Sequence, residues 1–261
     1  MSRTLRRAAT LLGSLGLMAL AARPAAAADE AFVRVVHASP DAPNVDVWVD
    51  GETVLTDVPF TAVSDYLSLA AGTYNVQVSA TGTTEAVIDA DVTVEAGTSY
   101  TIAATGMLDD ISATVLTDDR APAAGQAKLR VFHASPSAPA DVDVAVTDGP
   151  ILVEGLTYPE ATGYLTVDAG AYPIEIRAAG EEAAALSLEA TLEAGQNYTA
   201  IAMDDPDAEA GVQVVVATEA MADMPDTAMA PAAAPALVFG LMMVGAALAT
   251  AVPLAARRVR R

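Results

Sequence analysis

The chain repeats itself, and this repeat limits its fold more than any other feature. Val33-Arg-Val-Val-His-Ala-Ser-Pro-Asp-Ala-Pro43 returns as Leu129-Arg-Val-Phe-His-Ala-Ser-Pro-Ser-Ala-Pro139, and Asn44-Val-Asp-Val-Trp-Val49 is answered by Asp141-Val-Asp-Val-Ala-Val146. Further on, Asp65–Leu69 matches Gly163–Val167, Ala71–Tyr74 matches Ala169–Tyr172, and Ala96–Tyr100 matches Ala194–Tyr198. The offset is 133 − 37 = 96 at the histidines and 172 − 74 = 98 at the tyrosines. A period this long means two homologous domains and not a short-period solenoid. Residues 29–117 and 128–219 are therefore read as two copies, joined by a polar linker at 118–127 that contains Asp118, Asp119, Pro122 and Gly125.

Each copy carries strand signals throughout. Val45, Val47 and Val49 alternate with Asp46, Trp48 and Asp50, a period of two that buries one face of a strand. Asp50-Gly51 then supplies a hairpin turn. Further strands are predicted at 54–56, 63–69, 73–79, 86–94, 99–105 and 111–116, with turn residues between them. The alanines of 181–190 favour helix, but the equivalent stretch of the first copy is β-rich, so a strand is predicted there too. Seven or eight short strands in roughly ninety residues, without a helical stretch, predict an all-β antiparallel sandwich.

The charges are segregated. The chain has 34 acidic and 13 basic side chains, for a formal charge of −21. All the acids lie between Asp29 and Asp226, and the only basic residues in that stretch are Arg34, Arg120, Lys128, Arg130 and Arg177. A surface this anionic argues against nucleic acid as a partner. The lack of cysteine excludes disulfides, zinc–thiolate sites and a thiol nucleophile.

Both ends read as targeting segments. Arg3, Arg6 and Arg7 precede an uncharged apolar run, and Ala25–Ala28 provide an A-x-A type cleavage site. Residues 1–28 are thus a predicted signal peptide. Residues 236–256 are a predicted transmembrane helix, and the arginine-rich tail 257–261 should stay on the cytoplasmic side. This orientation puts the body on the extracellular face of the membrane or in the cell wall. The Pro/Ala-rich segment 220–235 holds Met224-Pro225-Asp226-Thr227-Ala228, which resembles the pentapeptide cut by sortase transpeptidases. Pro225 and Thr227 match that pattern directly. Met224 stands for the usual leucine, and Ala228 for the usual glycine. These two departures favour an ordinary juxtamembrane linker with a permanent membrane helix, and sortase processing is the competing reading.

The repeated Arg-Val-x-His-Ala-Ser-Pro-x-Ala-Pro element, followed by Val-Asp-Val, resembles the secreted prokaryotic modules of the domain of unknown function 4397 family. The resemblance covers nearly all of 32–116 and 129–217. It implies tandem immunoglobulin-like β-sandwiches at a cell surface and no established activity. The second copy departs at Ala145, where the first has Trp48.

Several residue groups invite a chemical reading. His37 and His133, the only histidines, each enter a proline-rich loop with Ser39-Pro40 or Ser135-Pro136. As metal ligands they would draw on Asp46 or Asp143. The favoured reading is structural, an imidazole holding a loop that has few ladder partners. Asp41, Asp46, Asp50 and Asp57 form a candidate calcium cluster, because Ca²⁺ prefers oxygen ligands. A second acidic loop runs through Asp204, Asp205, Asp207 and Glu209. Trp48, with Tyr66 or Tyr74, is a candidate carbohydrate or peptide contact. Asn197-Tyr-Thr199 matches an N-glycosylation acceptor but falls in a predicted strand.

No Gly-x-Ser-x-Gly elbow, His-Glu-x-x-His pair or phosphate-binding loop occurs. The leading expectation is a non-catalytic structural or adhesive surface protein without a cofactor. It would be held to the membrane by its helix, with sortase, envelope polymers and surface proteins as partners. A ligand- or calcium-binding module is the alternative, and a secreted hydrolase ranks last.

Overall fold

The computed structural model describes residues 30–121, 123–208 and 210–219. The first copy contributes β1 (Glu30–Ala38), β2 (Val45–Val49), β3 (Glu52–Val58), β4 (Leu67–Ala70), β5 (Gly72–Ala80), β6 (Ala86–Val94), β7 (Ser99–Thr105) and β8 (Ser112–Asp118). One 3-10 turn, Leu108–Asp110, precedes β8. The second copy contributes β9 (Gln126–His133), β10 (Asp141–Val146), β11 (Ile151–Thr157), β12 (Leu165–Asp168), β13 (Gly170–Ala178), β14 (Ala184–Leu192), β15 (Asn197–Asp204) and β16 (Val212–Thr218). The alanine-rich 181–190 stretch is mostly β14, as its repeat partner implied.

Each copy holds two four-stranded sheets, ordered β3-β2-β5-β6 and β4-β1-β7-β8 in the first, β11-β10-β13-β14 and β12-β9-β15-β16 in the second. Strand alternation brings the two sheets of a copy together. Val45, Val47, Val76 and Val78 of one sheet meet Val33, Val35, Ile102 and Ala104 of the other in a single apolar cluster. Each copy is thus a β-sandwich. The β2–β3 turn has positive φ at both Asp50 (50°) and Gly51 (80°), the two-residue hairpin geometry that favours this dipeptide.

Two expectations need correction. The sandwiches are not wholly antiparallel: β1 pairs in parallel with β7, and β9 with β15. Parallel neighbours need a long crossover, and here the chain visits the other sheet between them. Alternation within a strand carries no information about its partner, so the sequence could not reveal this. The strand predicted at 63–69 is also shorter, running Leu67–Ala70 with one isolated bridge at Val63. After that bridge Ser64 N–H donates to the Val35 carbonyl at 2.9 Å, and its Oγ accepts the Val35 N–H at 2.8 Å in place of a backbone carbonyl.

The strands β1, β7, β9 and β15 are buried on both faces. Val33 and Val35 face their own sandwich, whereas Val36 and Ala38 face the other copy. There they join Ala103, Phe132, Ala134, Ile201 and Met203 in an apolar cluster drawn from both copies. The sheets containing β1 and β9 therefore pack face to face, and the body has four sheet layers. Burial on both faces explains why these strands break strict apolar–polar alternation, with adjacent apolar pairs such as Val35-Val36 and Ala103-Ala104 facing opposite cores.

Among the described residues no helix is long and apolar enough to cross a membrane. The signal peptide, the 220–235 segment with Pro225, Thr227 and Ala228, the membrane helix and the basic tail all lie outside the described residues.

Candidate functional site

The repeated histidines sit at the base of the proline-rich loops. His37 is fully buried, and its Nε2 lies 3.1 Å from the Pro43 carbonyl oxygen. His133 repeats this at 2.9 Å to Pro139. A carbonyl only accepts, so Nε2 carries the proton and Nδ1 is the acceptor. Nδ1 receives the long N–H bond of Ser39 (3.4 Å) or Ser135 (3.5 Å). Both ring nitrogens thus serve the loop, in which Pro40 and Pro136 occupy turns. Burial pushes the His37 imidazole below its ordinary value, with the Pro43 carbonyl opposing. Neither serine hydroxyl bonds an imidazole. Ser135 Oγ donates to Asp204 Oδ1, while Ser39 Oγ has no partner among the described residues.

The aspartate of Val-Asp-Val is a backbone clamp. Asp46 Oδ1 accepts the Asp57 N–H at 2.8 Å and the Thr81 hydroxyl at 3.2 Å, and Oδ2 accepts the Gly82 N–H at 3.1 Å. It ties a bulge in β3 to the β5–β6 turn. Asp143 repeats this with Gly155 at 2.7 Å and Gly180 at 2.9 Å. The bulge residue has positive φ in both copies, 55° at Asp57 and 59° at Gly155, which explains the glycine in one and the aspartate in the other. These backbone bonds hold both carboxyls below the usual carboxylate range.

The four candidate calcium ligands are not drawn together. Asp41 Oδ1 accepts the Leu108 N–H, and Asp50 Oδ1 accepts the Asn75 N–H from the opposite end of β2. At the strand rise, Asp46 and Asp50 stand about 13 Å apart along the chain. Asp57 Oδ1 accepts from Asn44 Nδ2. Among the described residues no group of three or more His, Asp or Glu side chains is arranged to hold a metal ion.

The largest polar constellation is one the sequence reading did not single out. Arg34 on β1 and Arg130 on β9 face each other across the seam between copies, 2% and 3% exposed. Arg34 Nη2 donates to Glu219 Oε1 at 2.7 Å, and Arg130 Nη2 to Asp118 Oδ1 at 2.5 Å. Each arginine therefore pairs with the carboxylate that follows or ends the last strand of the opposite copy. Each also donates through Nε to a threonine of its own sheet, Thr101 at 2.7 Å or Thr199 at 3.1 Å. Thr101 Oγ1 in turn donates a hydrogen bond to Asp118, and Thr199 Oγ1 donates one to Glu219. Tyr66 and Tyr164 lie over Arg34 and Arg130 at 5.0 and 4.8 Å.

This arrangement is a two-fold exchange made within one chain, with two positive and two negative charges. Burial pushes both tyrosine hydroxyls well above their ordinary value. Tyr66 OH donates to Asp118 at 2.6 Å, whereas Tyr164 OH and Glu219 Oε2 have no partner among the described residues. Arg120 stacks over Phe32 and Tyr66, and Lys128 pairs with Asp119 at 2.6 Å. Four of the five basic residues of the body thus line or flank the seam. The available signal was an arginine at the same place in both copies, inside apolar strands of a chain poor in basic residues.

Trp48 and the tyrosines do not form one contact. Tyr66 belongs to the seam, and Tyr74 points into the sandwich with its hydroxyl on the Ala70 carbonyl. Trp48 lies on the outer face of its sheet, half-buried. Asn197 is 2% exposed, and its amide donates to the carbonyls of Asp119 (2.6 Å) and Ala121 (3.0 Å). A cleft of about 300 Å³ opens between the sheets of the second sandwich, against about 30 Å³ in the first. Ala190 and Val167 fill less of it than their counterparts Val92 and Leu69.

Two overlapping segments, residues 31–145 and 140–230, match the family described as "Domain of unknown function (DUF4397)". No curated protein matches the chain in sequence. Similar solved structures include the Bacillus anthracis TIE protein, with 9% identity and a TM-score of 0.24 over 67% of this chain and 34% of that one. A leucine-rich repeat protein from Bacteroides thetaiotaomicron has 15% identity and a TM-score of 0.19 over 66% and 26% of the two chains. The family CBM26 module CBMbc of Eubacterium rectale Amy13K, solved with maltoheptaose, has 8% identity and a TM-score of 0.24 over 76% and 98%. The chain spans about a third and a quarter of the first two. At these scores the likenesses carry no argument about ligands.

Proposed function

Since the chain belongs to the DUF4397 family over most of its length, whose description assigns no activity, we propose that it is a non-catalytic module displayed outside the cell. In this reading two immunoglobulin-like sandwiches are exported by the 1–28 signal and held at the surface by the 236–256 helix or by sortase linkage at Thr227. The role is structural or adhesive, toward envelope polymers or surface proteins.

One observation carries the reading. In both copies the histidine and aspartate of the repeated motif are committed to the main chain. What is repeated therefore builds a scaffold, and the seam joins two scaffolds into one body. The anionic surface suits solubility and mutual repulsion outside a cell.

Protease shaving of intact cells, followed by mass spectrometry of the C-terminal peptide, tests this. The body should be released by external protease. A new terminus at Thr227 identifies sortase linkage, and one at Arg261 identifies the retained helix. A chain that is protected in intact cells and recovered in the cytosolic fraction overturns the proposal.

A further inference from the structure

The outer face of the first sandwich carries a feature that its repeat partner lacks. Register places Thr53, Trp48, Gln77 and Asp89 in one row across β3, β2, β5 and β6. At the spacing of neighbouring strands this row is about 14 Å long. Trp48 Nε1 donates to Ser79 Oγ at 3.1 Å. Ser79 is the diagonal neighbour of Trp48 on that face, so the indole N–H is drawn toward β5 and the ring is held in one orientation. Half-buried on the outer face, the ring keeps part of its apolar surface open to solvent.

Beside it stands a fence of polar groups already held in place. Asn75 Nδ2 donates to Asp89 Oδ1 at 2.7 Å, and Gln77 Nε2 to Asp89 Oδ2 at 3.0 Å. These bonds hold the Asp89 carboxyl below the usual carboxylate range, so it stays an acceptor. They also orient both amides: Gln77 keeps its carbonyl oxygen and a second N–H for another partner, and Asn75, whose Nδ2 also reaches Asp91 Oδ1 at 3.4 Å, keeps its carbonyl oxygen. Thr53, Asp89 and Asp91 are exposed, and Asn75 and Gln77 half-buried.

The second copy is built otherwise at the same place. Its row reads Ile151, Ala145, Glu175 and Ser187. Ala145 is fully buried, and Glu175 is paired with Arg177 at 2.5 Å. No aromatic ring lies in that row, and its one carboxylate is already neutralised.

We infer that the Trp48–Gln77–Asp89 row is a binding platform for neutral oligosaccharides. A flat indole face suits the apolar C–H face of a pyranose. Oriented amides and an ionised carboxylate suit its hydroxyls, which both donate and accept. The surrounding Asp50, Asp89 and Asp91 repel uronate-rich or phosphorylated polymers and leave neutral sugars favoured. The platform deepens the adhesive role by naming the partner's chemistry. It rests on the surface display only for where the glycan is met, since binding in solution and cell fractionation succeed or fail separately.

Trp48 is the only tryptophan in the chain, so its fluorescence reports on this platform alone. The full-length protein is titrated with cellohexaose, xylohexaose, mannohexaose and chitohexaose up to about 10 mM, the weak end of specific affinity, and in parallel with polygalacturonate. At least one of the four hexaoses should shift the emission saturably. By calorimetry Trp48→Ala should abolish that binding and Trp48→Phe retain part of it. Asn75→Ala and Gln77→Ala should each weaken it by about fivefold, the loss of roughly one hydrogen bond. Glu175→Ala in the second copy should leave it unchanged. Thermal melting of each variant separates lost binding from lost fold. No emission change with any of the four sugars overturns the assignment. So does wild-type affinity in a folded Trp48→Ala, or binding only to polygalacturonate.

Discussion

Arg34 and Glu219 stand 185 positions apart, yet the guanidinium Nη2 lies 2.7 Å from the carboxylate Oε1, and both side chains are removed from water. Arg34 belongs to the first strand of one copy and Glu219 follows the last strand of the other. The pair therefore closes the whole body, start to finish. Its counterpart, Arg130 with Asp118, spans the linker between copies. The two copies are held as one unit by two equivalent clasps.

Removing one partner of a buried ion pair leaves an uncompensated charge. Arg34→Met should therefore destabilise the protein by about 3–5 kcal/mol. Arg34→Met with Glu219→Met should lose less than the sum of the two single changes, because both charges go together. Urea denaturation of the four proteins in the cycle measures this, and strict additivity would contradict a direct clasp.

Asp46→Ala removes acceptors from the Asp57 and Gly82 amides and should cost about 2–3 kcal/mol. Asp46→Asn keeps one acceptor and should cost less. Asp143→Ala should destabilise the second sandwich in the same way. Each variant should leave any Ca²⁺ response of the melting temperature unchanged, because these carboxylates hold backbone. A Ca²⁺-dependent rise in the wild type that Asp46→Asn removes would oppose the clamp assignment.

The His37 imidazole is held below 6.5 by burial, so the fold favours its neutral form. The unfolded chain takes up this proton first as pH falls. The stabilisation is therefore full above about pH 6.5 and is lost progressively as pH drops through the folded value. Asp46, held below 3.8, adds a second loss on further acidification below about pH 4. Urea midpoints measured from pH 8 to pH 3 should show both declines. His37→Gln should remove its share of the first.

Asn197 sits inside the fold with its amide bound to two linker carbonyls. Expression in a glycosylating host should leave its peptide at unmodified mass, despite the acceptor tripeptide. Asn197→Ala should lower stability, by freeing the linker carbonyls. A glycan at Asn197 in folded protein would contradict the burial.

The strands were legible because alternation and turn residues are local. Val45–Val49 shows its inward face in five residues, and Asp50-Gly51 shows the turn that follows. The loop role expected of His37 and His133 had a local cause as well, since a proline-rich loop lacks donors and an imidazole supplies one. The clamp of Asp46 was not legible. Its partners Asp57 and Gly82 lie 11 and 36 positions away, and a carboxylate in a strand reads equally well as a metal ligand or a solvated face.

By itself, the sequence determined that the chain has two homologous β copies, where most of their strands and turns fall, and that the body is anionic with basic ends. Periodicity, turn chemistry and charge are properties of neighbouring residues, so they survive in one dimension. Only the tertiary structure decided that β1 lies parallel to β7, and that the two sandwiches share a seam. It alone showed that nearly all the positive charge of an acidic body is gathered there. Strand partners and buried ion pairs depend on which surfaces exclude water together, and this is settled only when distant segments pack. Arg34 illustrates the difference: in the sequence it interrupts an apolar strand, and in the fold it joins the first strand to the last.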